Sequence, residues 1–257
     1  MFNFSPMSDI VRLKMLIAYD GRPFRGWQSQ ATKDAVQDHM EAAFFKTIAQ
    51  KVSVQGSGRT DAGVHALAQI AHADVPADRL DVKAWQGALN NFLPDEIRVM
   101  KVTKAAPDFH SRFSAQGKVY TYRIWNSRFL HPLEIGRVWH VPTTLDLDVL
   151  RAGAKLLMGK HDFAGFAANR APGYAAEDTV RTIFQIGLTR RGDLLTLRYE
   201  GNGFLYKMVR LLTGTLIRCA QGRAELKFIK DLLAEKGARK TSFAAPAEGL
   251  YLTRVIY

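Results

Sequence analysis

The sequence predicts an α+β protein made of two similar halves. The chain has 257 residues, of which 47% are hydrophobic, so it can form one large domain or two small ones, each with its own core. The predicted elements follow the order strand–helix–strand–strand–helix–strand, and this order occurs twice. Residues 105–117 interrupt the pattern between the two occurrences and are interpreted as a linker.

The first half contains four predicted strands and two predicted helices. Apolar or alternating stretches predict strands at 12–19, 51–55, 66–75 and 97–104. Asp34 is expected to be the N-cap of the first helix, whose apolar residues recur at helical spacing: Val36, Met40, Ala43, Phe44 and Ile48. The second helix is predicted from Ala84, Ala88, Leu89 and Phe92, and it ends before Pro94.

The second half repeats this order with one extra helix. Strands are predicted at 118–125, 180–190, 193–200 and 250–257, and the middle two form a hairpin around Arg191–Gly192. Helices are predicted at 147–158, with Asp146 as the N-cap, at 204–219 and at 226–236. Small residues predict a loop at 169–179.

This element order is that of the ferredoxin-like, split βαβ plan, which RNA-recognition modules share. We therefore expect two ferredoxin-like halves, each an antiparallel sheet with its helices on one face. The other face of such a sheet commonly binds RNA. The expected organisation is a variable extension at 1–10, one domain at 11–105 and a second at 106–257, with the active-site cleft between the two domains.

The net charge of the chain indicates what kind of molecule it binds. Lys and Arg number 36 against 24 Asp and Glu, a formal net charge of +12. Such an excess favours a polyanionic partner, with nucleic acid as the first candidate, an anionic membrane surface as the second, and a merely solvated basic surface as the alternative. No apolar run approaches the length of a membrane span, and residues 1–10 do not resemble a secretory signal. With Cys219 as the only cysteine, a reducing compartment is expected, and we predict a cytoplasmic protein.

The stretch GSGRTDAGVHALAQIAHAD at 56–74 is the first candidate site. Its glycines permit a sharp turn or a close approach of backbone, and Arg59 and Asp61 would point to one side of an extended segment. A nearby cation keeps a partly buried carboxylate ionised, and an ionised aspartate can act as a nucleophile or a base. The residues alone leave open the alternative of a turn aspartate with a surface ion pair.

Two further candidates lie in the second half. Tyr120 shares a strand face with Lys118, and basic residues interleaved with aromatic ones suit a stacked base beside a phosphate. Arg210 lies on the helix after the glycine-bounded segment that begins at Gly201. The alternatives are a core tyrosine and a solvated helix arginine.

A metal site is not expected. The seven histidines are scattered, no pair shows HExxH spacing, and no phosphate-binding loop, dinucleotide fingerprint or nucleophile elbow is present.

Six blocks of the chain resemble one known family, the TruA-type tRNA pseudouridine synthases. The most specific is GSGRTDAGVHALAQIAH (56–72), which is similar to the catalytic turn of that family. The other five occur in family order across almost the whole chain: YDGRPFRGWQSQ (19–30), FHSRFSAQGKVYTYRIWN (109–126), HDFAGF (161–166), GNGFLYKMVR (201–210) and AEGLYL (247–252).

The resemblance implies an isomerase that converts uridine to pseudouridine at positions 38, 39 and 40 of the tRNA anticodon stem-loop, without cofactor or metal, as a homodimer. It implies Asp61 as the catalytic aspartate, Tyr120 as the residue that stacks on the uracil, and Arg210 as the partner of the aspartate. Arg59 would help to displace the base. The sequence leaves open whether Asp61 attacks covalently or removes a proton from the ribose.

Two other function classes fit part of this sequence pattern. A non-catalytic RNA-binding module accounts for basic strands with aromatic residues but not for the Arg–Asp turn. A glycosidase-like hydrolase needs two carboxylates across the scissile bond. Asp20 is the obvious second carboxylate, and it is better interpreted as a strand-end turn residue.

Overall fold

The computed structural model describes residues 9–169 and 178–257, and it forms two compact units. The first unit ends at Ala115 and also includes Tyr257, and the second is Gln116–Ile256. Residues 1–8 of the predicted extension and 170–177 of the predicted loop at 169–179 lie outside the described part. The domain limits 11–105 and 106–257 stay predictions. In the described residues the fold is mixed α+β, with ten strands and five α-helices.

The first unit has one antiparallel sheet and two helices. Its elements are β1 (Ile10–Tyr19), α1 (Val36–Ile48), β2 (Gln55–Gly56), β3 (His65–Pro76), α2 (Ala84–Asn90) and β4 (Ile97–Lys104). The strand order is β4–β1–β3, with β2 paired to the far side of β3. Both β1–β3 and β1–β4 are antiparallel.

The core of this unit lies on one face of that sheet. Leu13, Met15 and Ile17 of β1 are fully buried and alternate with partly exposed residues. On β3 they face Ala73, Ala71 and Gln69, which are also buried. Since the side chains of a strand alternate between its two faces, one face packs inward and the other is left partly accessible.

Two details of the first half differ from the sequence prediction. The N-cap of α1 is Ala35, because the Asp34 carboxylate accepts from Thr32 (2.6 Å) and Arg25 (3.2 Å) instead. Asp38 accepts the Ala35 N–H at 3.1 Å in its place. The strand predicted at 51–55 shortens to Gln55–Gly56.

The reason for the shortened strand is that its backbone is bonded elsewhere. The Val54 N–H donates to Glu41 of α1 at 3.1 Å rather than to a neighbouring strand. Val52 and Val54 are nevertheless buried, so the alternation that predicted the strand reflects burial without strand pairing.

The second unit has a larger, mainly antiparallel sheet and three helices. Its elements are β5 (Gly117–Trp125), β6 (Trp139–His140), α3 (Leu147–Leu157), β7 (Gly159–Asp162), β8 (Val180–Arg191), β9 (Leu194–Gly201), α4 (Met208–Ala220), α5 (Leu226–Ala234) and β10 (Leu250–Ile256). The strand order is β10–β5–β9–β8–β7, and β6 pairs with β5 in parallel.

The helix caps of this unit show which local signals decided the structure. Asp146 caps α3, accepting the N–H groups of Asp148 and Val149 at 2.9 and 3.0 Å, as predicted. Helix α4 begins at Met208 rather than at 204, because Lys207 adopts a left-handed φ of 58°. Cys219 is buried on α4, where burial raises the pKa of its thiol.

Candidate active site

Asp61 lies in the loop between β2 and β3, where the sequence placed it. Exposure alternates along this loop: Arg59 is exposed, Thr60 is buried and Asp61 is partly exposed. The side chains of Arg59 and Asp61 therefore point away from the core, and Thr60, which lies between them in the sequence, points into it.

The loop backbone is held by the segment that follows β1. The Trp27 N–H donates to the Thr60 carbonyl at 3.2 Å, and the Gly63 N–H donates to the Phe24 carbonyl at 3.3 Å. Within the loop, the Val64 N–H donates to the Asp61 carbonyl at 3.1 Å. The first two bonds join the loop to two separate positions of the neighbouring segment, so its backbone is fixed on both sides of Asp61.

Two glycines make the approach of these segments possible. Gly63 has a φ of 78°, which L side chains rarely adopt. Gly26 has a φ of 85°, and a Cβ there would lie 2.3 Å from the Thr60 carbonyl oxygen. A side chain at position 26 would therefore collide with the backbone next to Asp61.

A set of buried polar side chains lies beneath the loop. The Ser57 hydroxyl donates to Gln69 Oε1 at 2.7 Å, and Gln69 Nε2 donates to the Gly58 carbonyl at 2.9 Å. The Tyr19 and Thr60 hydroxyls share a hydrogen bond of 2.8 Å. Burial raises the pKa of Tyr19, and the polar side chains of Thr60 and Gln69 oppose this rise only in part, so the phenol stays neutral.

Asp20 is a turn residue, as expected. It follows β1, accepts the Arg22 N–H at 3.2 Å and forms an ion pair with the Arg22 guanidinium at 2.6 Å. Burial raises the pKa of Asp20, but the hydrogen bonds from Arg22 and the charges of His65 and Arg22 outweigh it and hold that pKa below its usual range. The polar contacts of Asp20 are thus those of a residue in the turn that follows a strand.

Tyr120 lies on β5 of the second unit. Its side chain is 7% exposed, and the Phe204 ring packs edge-on against it with centroids 5.2 Å apart. Tyr122 on the same strand face is fully buried and donates its hydroxyl to the Pro246 carbonyl at 2.6 Å. The strand face that carries Tyr120 is thus an inward face.

Arg210 lies in the first turn of α4. Its Nε donates to the Ala245 carbonyl at 2.7 Å, and the Ala245 N–H donates to the Arg210 carbonyl at 3.0 Å. Burial raises the pKa of Tyr122, and the charge of Arg210 opposes that rise. The guanidinium is therefore fixed by the segment before β10 and is close enough to Tyr122 to influence its ionisation.

The four predicted site residues divide between the units. Arg59 and Asp61 belong to the first unit and share one loop, and Tyr120 and Arg210 belong to the second, on β5 and α4. Within the described ranges no group of three or more His, Cys, Asp or Glu could hold a metal ion. No helix among the described residues is both long and apolar enough to span a membrane.

Gln69 is one of the buried polar residues beneath this site that the sequence analysis did not single out. It occupies the inward register of β3 together with Ala71 and Ala73, and it is fully buried. The signal in the sequence is a single amide among the apolar residues of the inward strand face. A polar group buried there is normally hydrogen-bonded, so such an amide indicates a specific partner in the protein interior.

One protein family and several individual proteins are similar to this chain over most of its length. The tRNA pseudouridine synthase family matches residues 15–114 and 154–257. The protein named tRNA pseudouridine synthase A of Akkermansia muciniphila is 42% identical over 253 residues, covering 96% of both chains. The protein of that name in Geobacillus kaustophilus is 41% identical, covering 96% of this chain and 94% of its own.

Among solved structures, a chain of a Cbf5–Nop10–Gar1 complex aligns with 93% of this chain and 48% of its own length. Its TM-score of 0.39 and identity of 10% are too low to support an inference. The match to the family and the identity to its members rest on most of the sequence. This chain belongs to the tRNA pseudouridine synthase family, the isomerases that convert uridine to pseudouridine in tRNA.

Proposed function

We propose that this enzyme isomerises uridine at positions 38, 39 and 40 of the tRNA anticodon stem-loop. The observation that carries the proposal is the RTDAGVH loop at 59–65, whose aspartate is partly exposed on an anchored backbone. The net charge of +12 supports an RNA substrate, since phosphate contacts supply much of the affinity for nucleic acid.

In this proposal Asp61 is the catalytic residue. Uridine and pseudouridine are isomers, so the N1–C1′ bond breaks and a C5–C1′ bond forms after the uracil has rotated. The proton on C5 is lost and N1 gains one, which leaves the composition unchanged. The Asp61 carboxylate either attacks covalently or removes a ribose proton, and a primary isotope effect from deuterium on the ribose separates the two routes.

Arg59, Tyr120 and Arg210 have the supporting roles that the family resemblance implies. Arg59 is exposed beside Asp61 and helps to displace the target base. Tyr120 stacks on the uracil, and because it is only 7% exposed, adjacent side chains must move before a base can reach its ring. Arg210 pairs with the aspartate and keeps it ionised and oriented.

The energetics of base flipping explain why affinity must come from elsewhere. Extrusion of a base costs a few kcal/mol. A single aromatic stack returns about 1–3 kcal/mol. Since these terms nearly cancel, the basic surface is expected to supply the net binding free energy of the tRNA.

The finer architecture is also proposed. The strand orders β4–β1–β3–β2 and β10–β5–β9–β8 support two ferredoxin-like halves, with β6 and β7 as additions in the second. We further propose a cytoplasmic homodimer that needs no metal, on the strength of the family resemblance.

The test is product analysis on an unmodified tRNA transcript, with chelator present. The proposal predicts pseudouridine at positions 38, 39 and 40, and transcripts carrying cytidine at each position in turn should lose only that product. Released uracil would indicate a hydrolase, and bound but unchanged RNA would indicate a non-catalytic RNA-binding protein.

Tyr120→Phe tests the stacking role. It removes the hydroxyl and keeps the ring, so the isomerisation rate should stay within about threefold of the wild-type rate, whereas Tyr120→Ala should lose most of it. A Tyr120→Phe enzyme without activity would show that the hydroxyl takes part in the chemistry.

A further inference from the structure

The loop that carries Asp61 is held from below by a buried amide. Gln69 is fully buried on β3 and uses both ends of its side chain: Oε1 accepts from the Ser57 hydroxyl at 2.7 Å, and Nε2 donates to the Gly58 carbonyl at 2.9 Å. The Ser57 N–H also donates to the Ile70 carbonyl at 2.7 Å. The start of the loop is therefore fixed to β3 by both main-chain and side-chain bonds.

The middle of the loop is held by a second buried contact. Thr60 bonds through its hydroxyl to the Tyr19 hydroxyl at 2.8 Å and through its carbonyl to the Trp27 N–H at 3.2 Å. Ser57, Thr60, Tyr19 and Gln69 thus form a buried polar group of two hydrogen-bonded pairs, Ser57 with Gln69 and Thr60 with Tyr19, and each residue is at most 8% exposed.

Gln69 is suited to hold a backbone in place rather than to react. A neutral amide accepts at one end and donates at the other, so it recognises a hydroxyl donor and a carbonyl acceptor simultaneously. Replacement of either end would leave a buried polar atom of the loop without its bond, which is costly in the protein interior. The residues that its bonds fix come immediately before Arg59 and Asp61.

We propose that Gln69 is a positioning residue for isomerisation, which sets the path of the loop so that the Asp61 carboxylate is held where the ribose and base react. This inference rests on the proposed catalytic role of Asp61. It assigns to the buried polar group of Ser57, Thr60, Tyr19 and Gln69 a function in the rate of the reaction as well as in folding.

The test is Gln69→Met, which keeps an unbranched side chain of similar size and removes both hydrogen bonds. The single-turnover rate at saturating enzyme should fall roughly 10- to 100-fold, as expected for a small displacement of a reacting group. The dissociation constant for tRNA should stay within about threefold of the wild-type value, because binding is expected from the basic surface. A rate within about twofold of wild type in a folded Gln69→Met protein overturns the proposal.

A matched control separates positioning from general loss of stability. Thr215 is fully buried in the second unit and bonds to the Thr241 hydroxyl at 3.0 Å. Thr60→Val and Thr215→Val each delete one buried hydroxyl, so both should lower the melting temperature, but only Thr60→Val should lower the rate. Thr60→Ser, which keeps the hydroxyl, should recover most of the rate; equal rates for Thr60→Val and Thr215→Val would contradict the proposal.

The same series includes Asp61→Asn, so that failure of the two proposals can be told apart. If Asp61→Asn is inactive and Gln69→Met is normal, only the positioning role falls. If Asp61→Asn turns over normally, the proposed catalytic role falls. Should Gln69→Met fail to fold, Ser57→Ala, which removes the hydroxyl that donates to Gln69 Oε1, tests the same contact, and a Ser57→Ala rate within about twofold of wild type overturns the proposal.

Discussion

Gly26→Ala is the perturbation whose effect on the Asp61 loop follows most directly from distances. Gly26 is buried and has a φ of 85°. A Cβ at this position would lie 2.3 Å from the Thr60 carbonyl oxygen and 3.0 Å from the Asp61 carbonyl carbon. The two atoms belong to backbone that is already hydrogen-bonded, so they cannot rotate away as a flexible side chain could.

Two costs can be estimated for this substitution. Holding alanine in the left-handed region costs about 1–2 kcal/mol. Restoring ordinary van der Waals contact moves the Thr60 carbonyl by about 1 Å, and a misplacement of that size near the reacting groups can cost about 100-fold in rate. We therefore expect both a lower melting temperature and a much slower reaction.

The assay compares Gly26→Ala with Gly222→Ala. Gly222 also has a positive φ, 70°, but nothing lies within 4 Å of a Cβ built there. Both variants hold alanine in a left-handed backbone conformation and should lose stability for that reason, but only Gly26→Ala displaces the loop. Single-turnover pseudouridine formation should fall about 100-fold in Gly26→Ala and stay near wild type in Gly222→Ala. Equal rates in the two variants would refute the reasoning.

Three further predictions concern binding, pH and a helix cap. The affinity for tRNA should fall at least about 10-fold between roughly 50 and 200 mM salt in a filter-binding assay, and a flat dependence would contradict electrostatic binding. Burial lowers the pKa of His72 below its ordinary 6.5. The charges of His110 and Arg12 lower it further, and the charge of Asp74 opposes them. The unfolded chain then binds more protons below that pH, so the melting temperature should fall as pH drops from about 7 to 5. His72→Asn keeps an acceptor for the Ser111 N–H and should show a smaller fall; an unchanged profile would contradict this assignment. Asp146→Ala should lower the free energy of unfolding in denaturant by about 1 kcal/mol, because it removes the cap of α3. The control is Asp148→Ala on the same helix: the Asp148 side chain is 93% exposed, so its loss should be smaller, and equal losses would contradict the capping role.

The elements that the sequence predicted well are those whose own residues decide them. Strand β1 and helix α3 were predicted because apolar alternation and a capping aspartate are local signals. Strand β7 at Gly159–Asp162 was missed, since GKHD has neither alternation nor strand-forming residues, and it exists through its pairing with β8. The late start of α4 was missed because a left-handed Lys207 leaves no mark in the sequence.

The same distinction applies to the candidate site: some of its residues are recognisable from the local sequence, and others depend on contacts with distant parts of the chain. The glycines, Arg59 and Asp61 were visible because they are contiguous and have a distinctive pattern. The contribution of Gln69 was not visible, since its hydrogen bonds reach residues 11 and 12 positions earlier in the chain. The burial of Tyr120 depends on Phe204, which lies 84 positions further along the sequence. Such contacts are products of the fold and cannot be obtained from spacing.

The most direct measurement is single-turnover pseudouridine formation in an unmodified tRNA transcript, by wild type and Asp61→Asn, with tRNA binding measured in parallel. We expect product from wild type with chelator present, and at least about 1,000-fold less product from Asp61→Asn, whose affinity for tRNA should stay within about threefold of wild type. Turnover by Asp61→Asn close to the wild-type rate would contradict the central claim that this carboxylate performs the isomerisation.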